Sequence, residues 1–320
     1  MRSHALKSDG LLLLAAAIWG FAFVAQRVGM QYVGPFTFNA VRFALGSLVL
    51  APYVIVSSRR SEKRRREGSP EPPAARGDPR LTRRLPAALG GGLAGLVLFA
   101  GASLQQIGIV YTTAGKAGFI TGLYVILVPI LGLLLKQRVG RGTWVGALSA
   151  TAGLYLLSVT HGFRLAPGDG LVLIGAFFWA AHVLVIGRLV LRIDPIRLAC
   201  LQFAACSLLS FIVAGLVETL AISGILDAAV PILYGGVLSV GIAFTLQVVA
   251  QRTAPPAHVA ILLSLETVFA ALGGWLILDE TLALRALVGC ALMLAGILLS
   301  QLDRGAAALA GTTGEGGSSG

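Results

Sequence analysis

A few charged and polar residues fall inside long apolar segments, and these are the residues that could do chemistry. Glu266 is the clearest, because of the 14 acidic residues it alone falls near the middle of such a segment. Burying a carboxyl group in apolar surroundings is costly whether it is paired or protonated, so a buried one marks a functional site. Three roles are open: carrying a proton, binding a substrate amine, or forming a fixed ion pair with Arg42, a scarce cation inside another apolar segment.

Five further residues are polar candidates. Gln105 and Gln106 are adjacent inside one segment and must find hydrogen-bond partners there, one by bridging helices and one by facing a cavity. Lys116 begins the next segment, where its ammonium group would either reach the water interface or line a cavity mouth. Tyr124 follows in the same segment, and His182 is either a packed core residue or part of a proton relay.

Trp19 and Trp179 occupy matching positions in two similar halves of the sequence. Both fall inside apolar segments rather than at their ends, where tryptophan concentrates in membrane proteins. Two interpretations are open, since the pair could form a symmetric aromatic wall around a bound solute or could simply pack.

The sequence lacks the motifs of several other classes of protein. It has no GxxxxGK[ST] loop for ATP phosphates, no HExxH, and no serine nucleophile with a base beside the apolar segments. Cys200, Cys206 and Cys290 lie in apolar segments without CxxC or a histidine at ligand spacing, which favours packing. We therefore expect no catalysis, no metal and no cofactor.

Composition places these residues in a membrane. Of the 320 residues, 56% are hydrophobic and 12% are charged, about half of the roughly 25% charge of a soluble domain. The apolar segments are near 20 residues long, which matches a hydrocarbon core of roughly 30 Å. We predict an all-α integral membrane protein of about ten transmembrane helices. The predicted spans are 11–31, 35–56, 86–110, 116–136, 142–160, 170–190, 196–217, 229–250, 257–278 and 283–302.

The distribution of charge predicts the orientation. With the amino terminus inside, most of the 25 Lys and Arg residues fall on the cytoplasmic side, as the positive-inside rule requires. The first span is expected to be retained rather than cleaved as a signal peptide, because its apolar stretch continues and returns later in the chain. We expect a multi-pass protein of the cell membrane with both termini in the cytoplasm.

Much of the net charge of +11 comes from segment 57–85. This segment lacks aromatic residues for base stacking and is too rich in proline and charge to fold, so no nucleic-acid partner is expected. It is either a disordered cytoplasmic loop that sets topology or a binding site for anionic lipid headgroups. Residues 305–320 are expected to form a flexible tail.

The two halves of the chain, residues 1–160 and 161–304, share a pattern. Matching positions are Asp9 with Asp169, Trp19 with Trp179, Pro35 with Pro195, Ser47 with Ser207, Gly146 with Gly289 and Gly153 with Gly296. Each half would contain five spans, and an odd number inverts the second half relative to the first. Inverted repeats of this kind are typical of transporters, which open a central site to one side and then the other.

The sequence resembles the EamA-type transporters of the drug/metabolite transporter superfamily over roughly residues 8–302. The similar strings are LLLLAAAIWGFAFVAQRVG (11–29), PFTFNAVRFALGSLVL (35–50), LQQIGIVYTTAGKAGFITGLYVILVPIL (104–131) and LLSLETVFAALGGWLILDETL (262–282). The resemblance implies ten helices, both termini cytoplasmic, and a central cavity lined by helices of both halves. It also implies movement of small metabolites, often outward.

The expected function is that of a secondary transporter exporting a small metabolite or drug-like solute by alternating access, with proton coupling as a further expectation. The alternatives are a membrane-embedded enzyme acting on lipid, a lipid flippase, and a pore or interaction subunit. Expected partners are a small-molecule solute, membrane lipids, and a second copy of the chain in a homodimer.

Overall fold

The structure, a computed structural model, describes residues 2–67, 86–112, 114–137, 139–158, 166–277 and 284–313, and these contain helices and turns but no β-strand. The α-helices are α1 (Arg2–Gly29), α2 (Pro35–Arg66), α3 (Ala87–Tyr111), α4 (Ala114–Gly122), α5 (Tyr124–Leu134), α6 (Arg141–Ser158), α7 (Pro167–Leu189), α8 (Pro195–Val217), α9 (Ile222–Asp227), α10 (Ala229–Leu233), α11 (Thr245–Ala250), α12 (Pro256–Leu263), α13 (Glu266–Ile277) and α14 (Leu284–Thr313). A π-helix, π1 (Tyr234–Phe244), lies between α10 and α11.

Prolines begin several of these helices. Pro35, Pro167, Pro195 and Pro256 are the first residues of α2, α7, α8 and α12. The first N–H of a helix has no acceptor inside the helix, so a residue without an N–H is well suited to that position. Before α8, the Asp194 carboxylate also accepts a hydrogen bond of 3.0 Å from the backbone N–H of Arg197 and so caps the helix.

Seven helical stretches within the described residues are long and apolar enough to cross a membrane. They are Leu6–Gly29, Pro35–Arg60, Ala87–Tyr111, Lys116–Leu134, Pro167–Leu189, Pro195–Val217 and Ala229–Ala250. The other predicted spans, 142–160, 257–278 and 283–302, are shorter or less apolar in the described part of the chain. Apolar side chains also cover the outer surface, with Leu216 78% and Val230 79% exposed. The molecule therefore has the apolar helices of a multi-pass membrane protein.

Two of the predicted spans are each divided into two helices. Span 116–136 consists of α4 and α5, which meet at Leu123, and span 257–278 contains α12 and α13, which meet at Ser264 and Leu265. The chain passes through each break with an i→i+3 hydrogen bond of 3.2 Å, donated by the backbone N–H of Leu123 or of Leu265. The residues that follow these breaks are Tyr124 and Glu266.

Each break has a residue nearby that disturbs helical hydrogen bonding. Pro129, in the second turn of α5, lacks a backbone N–H and so cannot bond to the Val125 carbonyl, which lies just after the first break. At the other break, the Ser264 hydroxyl donates a hydrogen bond of 2.7 Å to the carbonyl of Ile261. Such side-chain bonds to a preceding carbonyl bend helices.

The α6 and α14 helices contact each other through their backbones. A Cβ atom on Gly153 would lie 2.4 Å from the Gly289 carbonyl oxygen, and one on Gly296 would lie 2.6 Å from the Gly146 carbonyl oxygen. The Ser149 hydroxyl adds a hydrogen bond of 2.9 Å to the Leu292 carbonyl. Glycine permits this approach because it has no side chain to separate the helices.

The α2 and α8 helices cross with a reciprocal pair of hydrogen bonds. The Ser47 hydroxyl donates to the Cys200 carbonyl at 3.2 Å, and the Ser207 hydroxyl donates to the Ala40 carbonyl at 2.8 Å. The wider packing is also reciprocal, since α1 contacts α12, α13 and π1 while α7 contacts α3, α4 and α5. These contacts bring helices from both halves of the sequence around one central space.

Two segments expected to be irregular are partly helical. Residues 57–66 of the predicted basic loop continue α2 to Arg66, and residues 305–313 of the predicted tail continue α14 to Thr313. Extending an existing helix needs no new nucleus, and the charged and alanine residues of these stretches favour helix. The rest of the predicted loop and tail, apart from residue 67, lies outside the described residues.

Candidate functional site

A cavity lies where helices from the first and second halves of the sequence meet. It is lined by Trp19, Ala22, Phe23, Gln26, Arg42, Gln105, Thr121, Tyr124, Trp179, His182, Val183, Ser239, Phe244, Gln247, Leu263 and Glu266. Its free volume is about 60 Å³, which holds a few water molecules. A solute of metabolite size therefore requires the surrounding side chains or helices to move.

Most of the candidates chosen from the sequence line this cavity. These are Glu266, Arg42, Trp19, Trp179, Gln105, Tyr124 and His182. Gln106 and Lys116 are not among its lining residues.

Glu266 is the first residue of α13, directly after the break with α12, and its side chain is 4% exposed. The Tyr124 hydroxyl, from the first residue of α5, donates a hydrogen bond of 3.3 Å to Glu266 Oε1. A carboxyl group at a helix amino terminus is favoured by the positive end of the helix dipole. The two helix breaks therefore meet in the cavity through this one hydrogen bond.

Of the three roles left open for Glu266, the ion pair with Arg42 is not formed in the structure. The Arg42 guanidinium carbon lies 5.4 Å from the ring centre of Phe38 and 5.0 Å from that of Phe43. Two aromatic faces of α2 thus hold the cation, while Glu266 turns to Tyr124. Both charged side chains line one cavity without contacting each other.

Arg42 is deeply buried, at 3% exposed, and its Nε makes no hydrogen bond within the described residues. Its side chain passes Gly235 of π1, where a Cβ would lie 3.4 Å from Arg42 Cδ. The neighbouring Gly236 lies against Leu45 and the Arg42 carbonyl oxygen, at 2.7 and 3.1 Å from the position of an added Cβ. These two glycines thus let π1 pack closely on α2.

Gln105 is the centre of a polar network on one side of the cavity. Its Oε1 accepts hydrogen bonds from Trp179 Nε1 at 2.7 Å and from the Thr121 hydroxyl at 3.4 Å. Its Nε2 donates to Gln26 Oε1 at 3.2 Å. Gln106 instead bridges helices away from the cavity, donating to the Gln26 carbonyl at 3.4 Å. Of the two adjacent glutamines, Gln105 faces the cavity and Gln106 joins α3 to α1.

Three aromatic rings form one wall of the cavity. The Phe244 ring lies between the two tryptophans, 4.5 Å from Trp19 and 5.8 Å from Trp179 between ring centres. Trp19 Nε1 donates to the Ser239 carbonyl at 3.2 Å. The tryptophans are therefore fixed by hydrogen bonds on one side and share Phe244 as a common neighbour.

His182 is held inside the protein beside this wall. Its Nε2 lies 2.8 Å from Gln202 Oε1 in a hydrogen bond, and its ring meets Trp179 edge-on at 6.2 Å. Its Nδ1 is buried and makes no hydrogen bond within the described residues. His182 thus contributes an apolar edge and one unused ring nitrogen to the cavity region.

Lys116 joins the start of α4 to the start of α7. Its Nζ lies 3.6 Å from Asp169 Oδ2, and the Thr112 hydroxyl donates to Asp169 Oδ1 at 2.5 Å. A similar pair joins the start of α12 to α1, where His258 Nε2 lies 2.9 Å from Asp9 Oδ1. Asp9 and Asp169 are matching positions of the two halves, so each carboxylate ties its helix to a helix of the other half.

The described residues contain no group of three or more His, Cys, Asp or Glu side chains that could hold a metal ion. The three cysteines are free, with Cys200 and Cys206 buried and Cys290 half-buried. Cys200 contacts Ser47 at the α2–α8 crossing. Their positions are those of packing residues.

Nine of the 16 lining residues were not chosen from the sequence, among them Gln26, Gln247 and Phe244. Gln26 and Gln247 are amides inside apolar segments, which is the signal that singled out Gln105, so the same reasoning would have found both. Gln247 Oε1 is buried and makes no hydrogen bond within the described residues. Phe244 had no such signal, because one phenylalanine in an apolar segment resembles any other.

Comparisons with known proteins agree with this architecture. The sequence profile of the EamA-like transporter family matches residues 6–159 and 166–302. A protein named an uncharacterized transporter from Archaeoglobus fulgidus is 29% identical, over 93% of this chain and 86% of the relative. A second uncharacterized transporter from that organism is 24% identical, over 92% of this chain and 97% of the relative. A protein of known crystal structure shares the fold with a TM-score of 0.71 at 19% identity, over 93% of this chain and 97% of that chain.

Proposed function

This chain belongs to the EamA-like transporter family, and on that premise we propose that it is a secondary transporter exporting a small metabolite or drug-like solute by alternating access. Membership of this family makes it a multi-pass membrane protein that handles small-molecule solutes. The observation that carries the proposed mechanism is the meeting of two interrupted helices, one from each half of the chain, at Tyr124 and Glu266. Interrupted helices at the junction of two repeats are typical of the binding sites of secondary transporters.

The proposal includes ten membrane helices arranged as two inverted five-helix halves, residues 1–160 and 161–304. The reciprocal contacts between the halves support it. The Ser47 hydroxyl bonds to the Cys200 carbonyl, and the Ser207 hydroxyl bonds to the Ala40 carbonyl. Ser47 and Ser207 are matching positions, so each half makes the same contact to the other half. The glycine contacts between α6 and α14 follow the same exchange. The family profile also matches each half separately.

We propose a location in the cell membrane with both termini in the cytoplasm. The carboxyl-terminal end of α2 carries Arg59, Arg60 and the basic run to Arg66, and the end of α7 and the turn after it carry Arg188 and Arg192. In an alternating topology these two ends lie on the same side as the amino terminus, and the positive-inside rule then favours the cytoplasm. Segment 57–85 would lie beside the anionic lipid headgroups of that surface.

Proton coupling is the proposed role of Glu266. Its carboxyl group is buried in the cavity, bonds to the Tyr124 hydroxyl, and forms no ion pair with Arg42, the cation that lines the same cavity. A carboxyl group that is not fixed by a cation can take up a proton on one side of the membrane and release it on the other. This supports a proton carrier over a structural ion pair.

Transport by purified protein in proteoliposomes tests the proposal. A pooled metabolite library is offered with and without a proton gradient, and the contents are read by mass spectrometry against protein-free liposomes. We expect a discrete solute to accumulate, to saturate with concentration, and to exchange against preloaded solute in counterflow.

The other classes give different results in the same vesicles. A pore gives flux that does not saturate and shows no counterflow, and a lipid flippase moves a fluorescent lipid between leaflets without accumulating any solute. Either result from correctly inserted protein would contradict the proposed function.

A further inference from the structure

Arg42 is a buried cation whose interactions inside the protein are incomplete. A guanidinium group has five N–H donors, yet within the described residues the Arg42 Nε has no hydrogen-bond partner, and the group packs on the rings of Phe38 and Phe43. Aromatic faces attract a cation, but they leave its charge unneutralised and its N–H groups unused. A buried charge is costly unless it is paired and hydrogen-bonded.

The arginine is nevertheless packed closely on one side. A Cβ on Gly235 would lie 3.4 Å from Arg42 Cδ, at van der Waals contact distance. The group lines the cavity together with Glu266, which turns instead to Tyr124. A buried cation at a cavity, with no anionic partner among the described residues, indicates an anion that comes from outside the protein.

The remaining lining defines the rest of such a ligand. Trp19, Phe244 and Trp179 offer an apolar aromatic wall, in which Trp179 stacks on Phe244 and Trp19 meets Phe244 edge-on. Gln247 Oε1 is a buried acceptor that has no hydrogen bond within the described residues and therefore fits a donor from the ligand. The guanidinium fork fits two oxygens of one group, as in a carboxylate or phosphate.

We propose that Arg42 binds an oxyanion group of the transported solute, which also carries an apolar body and a hydrogen-bond donor. That the ligand is a transported solute rests on the proposed function. That an oxyanion binds at Arg42 can be tested without any transport. A carboxylate and a phosphate present the same chemistry to the guanidinium, so both belong among the probes.

The first test compares probes on wild-type protein purified in detergent. Indole-3-acetate is paired with indole-3-acetamide, which has the same body without the charge, and phenyl phosphate supplies the other oxyanion. Binding is read by the ligand-induced rise in Tm and by quenching of tryptophan fluorescence. We expect the carboxylate or the phosphate to bind about 10- to 100-fold more tightly than the neutral amide, the range for a hydrogen bond to a charged group.

Variants then assign the preference to one residue. Arg42→Gln should abolish the preference for the oxyanion, and Arg42→Lys should retain part of it because the charge stays while the fork is lost. Arg188→Gln, on an exposed position of α7, is the matched control and should bind as wild type does. If Arg42→Gln does not fold, the comparison of charged and neutral probes on the wild-type protein decides alone.

The outcomes separate this inference from the proposed function. Equal binding of oxyanion and amide, or binding of no oxyanion, overturns the role of Arg42, as does accumulation in proteoliposomes of a solute without an oxyanion group. Oxyanion binding that depends on Arg42 supports the role of Arg42 even if the vesicles accumulate no solute. The absence of accumulation would then contradict only the proposed transport function.

Discussion

Tyr124 and Glu266 are each the first residue of a helix that resumes after a break inside an apolar segment, and the tyrosine hydroxyl donates a hydrogen bond of 3.3 Å to the glutamate. One break lies in each half of the chain. This bond therefore joins the two halves at the points where their helices are least regular. A change of helix angle at either break would move one of the two side chains and so lengthen or break the hydrogen bond to the other.

Removing the tyrosine hydroxyl should destabilise the protein. Tyr124→Phe leaves the buried Glu266 carboxyl group without this donor, and we expect the free energy of unfolding to fall by about 1–3 kcal/mol. The measurement is thermal or detergent unfolding of the purified protein. Tyr155→Phe, which removes a hydroxyl from an exposed tyrosine, is the control and should change stability little. Equal effects of the two variants would contradict the assigned hydrogen bond.

Glu266→Gln should uncouple transport from the proton gradient. Glutamine has the size of the glutamate side chain and can still form hydrogen bonds, but it cannot take up or release a proton at physiological pH. We expect uptake or counterflow of the solute to persist while its response to an imposed gradient disappears. Asp227→Asn, an exposed carboxylate at the end of α9, should keep the response. A full gradient response in Glu266→Gln would remove Glu266 as the proton carrier.

A methyl group in the α6–α14 contact should be poorly tolerated. The Cβ of Gly153→Ala would lie 2.4 Å from the Gly289 carbonyl oxygen, so the helices must separate, at a cost of about 1–3 kcal/mol typical of overpacking. Gly92→Ala is the matched control on α3, where an added Cβ meets nothing within 4 Å. We expect a lower Tm for the first variant and an unchanged or higher one for the second. Similar Tm values would show that the α6–α14 contact adapts easily.

The two carboxylate clusters should bias the cavity toward opposite sides of the membrane. Lys116–Asp169 and Asp9–His258 tie helices together at their starts, in matching places of the two halves. In the proposed inverted arrangement these lie at opposite membrane faces. Asp169→Asn should therefore favour opening on one side, and Asp9→Asn on the other.

Thiol labelling measures this bias. Ala22→Cys places a thiol in the cavity of a protein whose native cysteines are replaced by alanine, and an impermeant reagent is added to one side of sealed vesicles. Each neutralised carboxylate should raise labelling from its own side about fivefold, the effect of losing roughly 1 kcal/mol of interaction between the two side chains. Asp227→Asn should leave labelling unchanged. Equal labelling from both sides in all variants would contradict the assignment.

Much of the cavity was predictable because polar residues are rare inside apolar segments. Glu266, Arg42, Gln105 and His182 stand out against their neighbours for that reason, and the structure brings them to one space. Lys116 stands out equally but lies at a helix start, where a carboxylate was available. A polar residue inside an apolar segment is therefore easy to find in the sequence, but the sequence does not show whether it lines the cavity or lies between two helices.

The details of the helices were less predictable. Pro129 follows the first break and Ser264 lies at the second, but both residue types also occur inside continuous helices of this chain, and nothing in the local sequence distinguishes π1 from an α-helix. Of the three roles left open for Glu266, the ion pair with Arg42 is not seen in the structure, because Arg42 packs on the aromatic rings of its own helix and Glu266 accepts a hydrogen bond from Tyr124. Opposite charge alone does not fix which side chains meet.

The pairing of α6 with α14 bears on how the chain is made. Ser149 bonds to Leu292, which follows it by 143 residues. At about 5–20 residues added per second of synthesis, roughly 7–30 s pass between the synthesis of Ser149 on α6 and that of Leu292 on α14. The crossing of α2 with α8 imposes a similar delay on α2. During that interval the newly inserted helices must be held by lipid or by the insertion machinery, so the first half of this protein enters the membrane long before its own contacts can keep it there.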